Sequence, residues 1–338
     1  MGIIRVSRKI ERFISEMKIA LVGGGEGMLL AMSVLRERGS HVHAYCSFRH
    51  GQELVRGEQL ASQFFSQGLP LSQINSEVEF AKVIDKENYD LIFGMGPEWI
   101  FSGTTLSLAK RWVNINIIPY PKYLGGAHVS WQILNGDLRG SVVFQEMIRE
   151  VDKGKILDKF DFLYSSANDG PEHRFSRNQE ELLRALPKFM SSFQLNAPMK
   201  DQHFVDEARE YWPRLKTDTH GWIDWSWSSL HILSFINAFS APYPGARTRL
   251  GGYVITVLSG KVIEMRDFHP FSVGIILRKP DENSLVVATR DGILELECRL
   301  PEKIRCSFLE GSRVFTPSED LELAMQSHLH TKDFRVAE

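Results

Sequence analysis

The stretch NINIIPYPKYLGG, residues 114–126, sets two asparagines one residue apart at the end of an apolar run, ahead of two prolines and a glycine pair. An asparagine amide can donate to a carbonyl oxygen as negative charge builds on it, which is oxyanion stabilisation. Spacing alone fits Asn114 and Asn116 to that role and to a strand-end turn equally well. Asparagine accepts no proton near neutral pH, so any base has to come from elsewhere. Asp152, in EVDKGKI between two apolar segments, has a carboxylate that could orient a partner or take a proton. Asp and Gly are also ordinary turn residues, and on its own Asp152 reads as turn chemistry. His128 follows Gly125, Gly126 and Ala127 at the start of a helical pattern, where a lone histidine reads as a cap or surface residue.

Hydrophobic patterning supplies the elements that must hold these groups. MKIALVGGG is a buried strand from Met17 that runs into glycines, GMLLAMSVLRERG is a helix and HVHAYCSF is a second strand. Strand–helix–strand order implies a right-handed crossover and a parallel sheet. Helices follow over GEQLASQFFSQG and EVEFAKVIDKENY, then the strands DLIFGMG and VNINII, and a helix that stops at Asn135 and Gly136. SVVFQEMI and KILDKFDF lie close enough to pair antiparallel, and QEELLRALPKFMSSFQL is an amphipathic helix. Ligands of such sheets bind at the carboxyl ends of the strands, which is where the 114–126 stretch falls. The glycines Gly23, Gly24, Gly25 and Gly27 lack dinucleotide-fingerprint spacing, and the second strand ends in YCSFRH rather than an acidic residue, so they read as a tight turn.

Near residue 205 the texture changes. REYWPRLKTDTHGWIDWSW is aromatic and irregular, SSLHILSFINAFS is a Ser-capped helix, and short alternating strands with turn signals then suggest a small β-barrel or sandwich. The aromatic cluster reads as domain packing rather than a stacking platform. SEDLELAMQSHL is a terminal helix. The expected division is an N-terminal extension over 1–16, an α/β domain over 17–205, a barrel-like domain over 206–317 and a tail over 318–338.

The bulk numbers exclude several classes. With 40 Lys+Arg against 42 Asp+Glu, the formal charge is −2, with no basic excess to meet nucleic acid. No apolar stretch reaches membrane-span length, and residues 1–16 have no signal-peptide core. Cys46, Cys298 and Cys306 have neither disulfide-framework nor zinc spacing and read as free thiols of a reducing cytoplasm, with no metal.

Taken together the segments resemble the 10-formyltetrahydrofolate-dependent formyltransferase family, with its pattern N-x-H-P-S-L-L-P-x-Y-x-G, then a tryptophan and N-G, then D-x-G-x-I. Asn114, Pro121, Tyr123 and Gly125 match in register, and Trp131, Asn135, Gly136, Asp152, Gly154 and Ile156 follow in order. WIDWSW, INAFSAPYPGARTRLGG, DFHPFSVGII and TRDGILEL resemble the family's second domain. The likeness covers residues 17 to 317. It implies a Rossmann-like α/β catalytic domain and an OB-like C-terminal β-barrel. It also implies 10-formyltetrahydrofolate as co-substrate and an Asn-His-Asp site. By register Asn114 polarises the formyl group, Asp152 is the aspartate, and Asn116 stands where the family has histidine. The implied folate pocket takes Phe93, Gly94, Met95, Gly96 and Pro97 with the backbone at Asp152 and Gly154. Tyr123, Gly125, Gly126 and Trp131 fall on the substrate side.

A positioned acid–base group contributes about 10²–10⁴ in rate, so losing the histidine weakens an enzyme but need not abolish it, because positioning and oxyanion stabilisation remain. Three readings follow: an N-formyltransferase whose base is Asp152 or, less directly, His128; an enzyme using the folate pocket for another acyl or one-carbon transfer; and a ligand-binding protein on the same scaffold. For the acceptor amine, the resemblance offers methionyl-tRNA or a nucleotide-linked amino sugar. From residue 213 onward Lys+Arg minus Asp+Glu is 15 − 16 = −1, and the loop SFRHGQELVRG is only weakly basic. Both points, with WPRLKTDTHGWIDW and PYPGA, favour the small amino-sugar substrate over nucleic acid. The resemblance also carries a homodimer, which no residue pattern requires.

Overall fold

The computed structural model describes residues 17–195 and 209–326; the expected extension over 1–16 and the end of the terminal tail lie outside the described residues. Strand β1 (Lys18–Gly23) is apolar and buried on both faces, as a parallel strand covered by helices requires. It turns through glycine into α1 (Gly25–Glu37), and β2 (His41–Cys46) pairs parallel to it. The turn needs glycine for a physical reason: a Cβ on Gly23 would stand 2.1 Å from the Met95 carbonyl oxygen. The glycine run therefore serves close backbone approach. The short α2 (Phe48–Gln52), the hairpin β3 (Leu54–Val55) and β4 (Glu58–Gln59), α3 (Leu60–Ser66) and β5 (Leu71–Gln73) follow, then α4 (Glu77–Glu87), β6 (Leu91–Met95) and α5 (Gly103–Leu106). Next come β7 (Arg111–Ile117), α6 (His128–Leu134), β8 (Arg139–Glu146), β9 (Ile156–Leu163) and α7 (Pro171–Ser192).

Among the described residues these strands form one seven-stranded sheet in the order β5-β2-β1-β6-β7-β8-β9. The strands from β5 to β7 are parallel, and β8 and β9 add antiparallel. The patterning expected this switch. One face packs on α1 and α7, with Phe144 stacked on Phe189 at 4.0 Å between ring centres. The other packs on α4 through Tyr45, Phe80 and Trp112. Helix α7 starts eight residues before the amphipathic pattern that marks it. Its first turns are polar and carry no apolar stripe, yet Arg174 lies over the Tyr164 ring at 4.4 Å and Asn178 accepts from the Tyr164 hydroxyl at 2.7 Å. Pro171 at its first turn suits a helix start.

After the one-turn helix α8 (Thr217–His220), α9 (Ser229–Ala238) opens with Ser228 accepting from the His231 amide. A six-stranded antiparallel sheet follows, ordered β12 (Ile276–Arg278), β13 (Ser284–Ala288), β14 (Ile293–Arg299), β11 (Tyr253–Glu264), β10 (Ala246–Leu250), β15 (Val314–Phe315). Two bulges in β11 bend it. The sheet curls until its edges meet: Ile276 donates to Ser312 O and Val314 to Gly274 O, both at 2.9 Å. The joined edges leave fewer unpaired strand groups, in line with the expected barrel-like domain. The short α10 (Glu302–Arg305) crosses beside it, and α11 (Ser318–Gln326) is the terminal helix. Trp225 is buried in this core with its indole N–H on Thr248 Oγ1 at 2.8 Å. Val129 and Ile133 of α6 join the same core, so the helix after the 114–126 loop ties the two domains together.

Phe144 is fully buried between β8 and α7. Phe144→Ala should cost about 3–5 kcal/mol of unfolding free energy, read as a lower urea midpoint with an unchanged slope.

Candidate active site at the strand ends

Three neighbouring strands bring the site together. In register, Gly94 of β6 pairs with Asn114 of β7, and Asn114 pairs with Gln145 of β8. Strand alternation puts Asn114 and Asn116 on one face. The Asn114 side-chain oxygen is buried and has no hydrogen-bond partner. Leaving such a group unmatched costs about 1–3 kcal/mol, so the oxygen awaits a donor the protein does not supply, and the same carboxamide carries an N–H donor beside it. Gly94 makes room beside it; a Cβ there would lie 3.0 Å from Asn114 Oδ1 and 2.8 Å from Met147 Sδ.

Asp152 sits in the turn between β8 and β9 with φ of +58°, in the left-handed region. Gln145 holds that turn, donating from Nε2 to the carbonyls of Asp152 and Gly154, each at 2.9 Å. Gly154 is required there, since a Cβ would run into the Glu146 carbonyl oxygen at 1.8 Å. The Asn116 amide lies near enough to the Asp152 carboxyl to favour its charged form. Burial pushes the Asp152 carboxyl above the usual range, while the charge of Arg209 and the nearby Asn116 amide pull it back. Asn114, Gln145 and Asp152 line one cavity of about 370 Å³ with Trp99, Phe101 and Met147. Among the described residues no group of His, Cys, Asp and Glu is arranged to hold a metal ion.

The other residues singled out in the sequence fall in several places. Pro97 lines the cavity. Phe93 points into the core against Phe189, Met95 packs over Gly27, and Gly96 makes a left-handed turn. Tyr123, Gly125 and Trp131 gather around Trp212: its ring stacks with Tyr123 at 5.5 Å and lies 4.8 Å from Trp131, and its carbonyl stands where a Cβ of Gly125 would be. Gly126 abuts Arg214, which reaches the cavity. His128 opens α6 and is not among the cavity-lining residues. The residue keeps intermediate exposure, but its imidazole is enclosed and burial pushes it down to about 4. At that value it is neutral at pH 7 and a weak base.

Sequence reading missed Gln145, Arg209 and Arg214. Gln145 carried a signal, as a polar residue inside the apolar strand SVVFQEMI that is 1% exposed. Arg209 and Arg214 lie in a segment with no periodicity, and only the fold brings them to the site.

The sign of the Asp152 shift gives a stability prediction. A carboxyl raised in the folded state contributes stability below its unfolded value, near 3.8, and loses it as pH rises through the folded value. Asp152→Asn removes that buried charge. The variant should therefore gain stability over the parent at pH 7 and gain less at pH 4, read by urea unfolding; an equal difference at both pH values would contradict the shift.

Residues 216–311 match the family described as formyl transferase, C-terminal domain. The methionyl-tRNA formyltransferase of Lactococcus lactis subsp. lactis is 30% identical over 217 residues, 62% of this chain. The match spans 65% of that relative's length. An N-formyltransferase from Helicobacter canadensis, solved with folinic acid and dTDP-3-aminofucose, superposes with a TM-score of 0.63 at 14% identity, over 84% of this chain and 100% of that one. HypX from Aquifex aeolicus, in complex with tetrahydrofolic acid, superposes with a TM-score of 0.56 at 15% identity, over 93% of this chain and 48% of that one. At these identities the two structures speak to the fold. The matched C-terminal domain, the sequence relatives and the shared two-domain architecture make this chain similar to formyltransferases, with the family match itself confined to residues 216–311.

Proposed function

We propose that this protein transfers a formyl group from 10-formyltetrahydrofolate to a primary amine, with a nucleotide-linked amino sugar as acceptor. The observation that carries the reading is one cavity lined both by Asn114, whose carboxamide oxygen is buried and unpartnered, and by Asp152, whose carboxyl is largely desolvated. The cavity volume falls within the usual range for small-molecule sites, and its wall of Trp99, Phe101 and Met147 suits the flat ring of a folate. Relatives of the same fold are described with folinic acid or tetrahydrofolic acid bound, which supports the same donor here.

When bound, the co-substrate supplies an activated formyl carbon. Asn114 faces its oxygen and donates as that oxygen gains charge. The acceptor nitrogen, as a neutral amine, forms the new C–N bond while the bond from carbon to the folate nitrogen breaks. Asp152 takes the proton that the amine loses, and a proton returns to the departing folate nitrogen. Asn116 keeps the carboxylate aimed, and Gln145 fixes the turn that carries it. His128, enclosed and weakly basic, takes no part.

Two observations support the amino sugar: a similar fold is described with dTDP-3-aminofucose, and the balance from residue 213 onward, 15 − 16 = −1, offers no basic excess for a phosphate backbone. A second reading, methionyl-tRNA as acceptor, is favoured by the names of the sequence relatives.

The test is incubation with 10-formyltetrahydrofolate and either a panel of nucleotide-linked amino sugars or methionyl-tRNA, followed by mass measurement for one added formyl group. A formylated amino sugar is expected; formylated tRNA alone would move the acceptor to the second reading. Asp152→Asn should lower turnover by about 10²–10⁴-fold with folate binding kept, and His128→Ala should keep full rate. Folate binding without turnover on any amine would overturn the catalytic reading in favour of a binding protein.

A further inference from the structure

We propose that Arg214 is a specificity-determining residue of this site, the cation that takes the diphosphate of a nucleotide-linked acceptor. This rests on the formyl-transfer reading of the cavity and adds the group that selects an anionic acceptor. Arg214 lines the cavity that Asn114 and Asp152 share. The segment before it is docked in three ways. Trp212 donates its amide to Leu124 O at 2.8 Å, the Trp212 ring stacks on Tyr123 at 5.5 Å, and Trp131 Nε1 donates to Pro213 O at 2.6 Å. The backbone that enters Arg214 is thus fixed, while the residue itself is exposed. Its side chain lies across Gly126, where a Cβ would stand 3.1 Å from Arg214 Nε and 3.3 Å from its Cβ and Cγ. Glycine at 126 leaves the arginine stem its course. A side chain anchored at its base and open to solvent can meet an arriving ligand at little ordering cost.

Charge sorts the groups that line the cavity. Glu98, Glu146, Glu150 and Asp152 are acidic, and Arg214 is the basic residue among the described residues of the lining. Glu98 is paired with Arg49 at 3.1 Å. The acidic turn repels an anion and draws an amine, so an acceptor that carries both enters with its phosphates at Arg214 and its amine toward Asp152. Neighbouring cations are already engaged, Lys122 with Glu210 and Arg247 with Asp218; among the described residues no such pair holds Arg214. The planar fork of arginine meets phosphate oxygens two at a time. The flat wall of Trp99, Phe101 and Met147 comes from the loops after β6 and β8, whereas Arg214 comes from the interdomain linker. Folate ring and acceptor phosphates are therefore held by separate segments. A single arginine selects a small anionic acceptor without the basic surface that a nucleic acid requires.

The experiment has two readouts on the full chain. Binding of dTDP and of UDP, as probes of the phosphate site, is measured by calorimetry on the parent protein, Arg214→Met and Arg214→Lys. Formyl-transfer kinetics with nucleotide-linked amino sugars are measured on the same proteins. The parent should bind at least one of the two diphosphates. Arg214→Met should weaken that binding and raise the acceptor KM by about tenfold or more, with kcat and the folate KM changed by less than about twofold. Arg214→Lys keeps the charge without the fork and should recover part of the loss. Arg214→Gln, polar at the same exposed position, covers the case in which Arg214→Met does not fold. Equal diphosphate binding in the parent and in Arg214→Met, or in Arg214→Gln should that variant stand in, would overturn the proposal. So would a parent that binds neither diphosphate, or a rise confined to the folate KM. The calorimetry needs no turnover, so Arg214-dependent binding in a protein without activity overturns only the formyl-transfer reading.

Discussion

The site depends on one costly arrangement, a carboxylate held away from water without an imidazole beside it. Asp152 keeps intermediate exposure but its carboxyl is largely desolvated, its backbone sits in the left-handed region, and Asn116 favours its charged form. A buried charge persists only when paired and hydrogen-bonded. Here Asn116 of β7 and the charge of Arg209 favour the carboxylate, while Gln145 of β8 holds the turn through its carbonyls. On the proposed reading, this aspartate is the group that accepts the proton.

The fold explains how such distant segments converge. The parallel strands end at one edge, the antiparallel β8 returns past it, and the turn into β9 folds back over Asn114. Glycine is used where backbone must approach backbone, at Gly23 against Met95 and at Gly154 against Glu146. The second domain contributes through its attachment: α6 packs into the C-terminal core, and the linker lies along the loop of residues 120–124. Loosening the domain contact would thus also loosen the loop that follows Asn116.

Much of this was legible in the sequence. The order of strands and helices, the antiparallel turn at β8 and β9 and the barrel-like second domain follow from apolar periodicity, because burial sets those elements. Asn114, Asn116 and Asp152 were legible from register within a pattern. What stayed hidden is tertiary in origin. The early start of α7 rests on Arg174 and Asn178 packing against Tyr164, which no apolar stripe announces. Arg209 lies 57 residues beyond Asp152 in an irregular segment, and the pairing of residues 210–212 with the loop at 121–124 brings it back. The expected folate segment divides for a similar reason: Pro97 reaches the cavity while Phe93 turns into the core, a distinction of strand face that the motif did not draw.

The central claim is that Asp152 takes the proton because Asn116 cannot. Its most direct test is the pH profile of kcat/KM for formyl transfer by Asn116→His beside the parent protein. If Asp152 is the parent's base, the new imidazole should take over: the acidic limb should move up toward the ordinary histidine value of about 6.5, and turnover should rise by as much as about 10²-fold. An identical limb and rate in the two proteins would contradict the claim and place proton transfer at a group outside the Asn116–Asp152 pair.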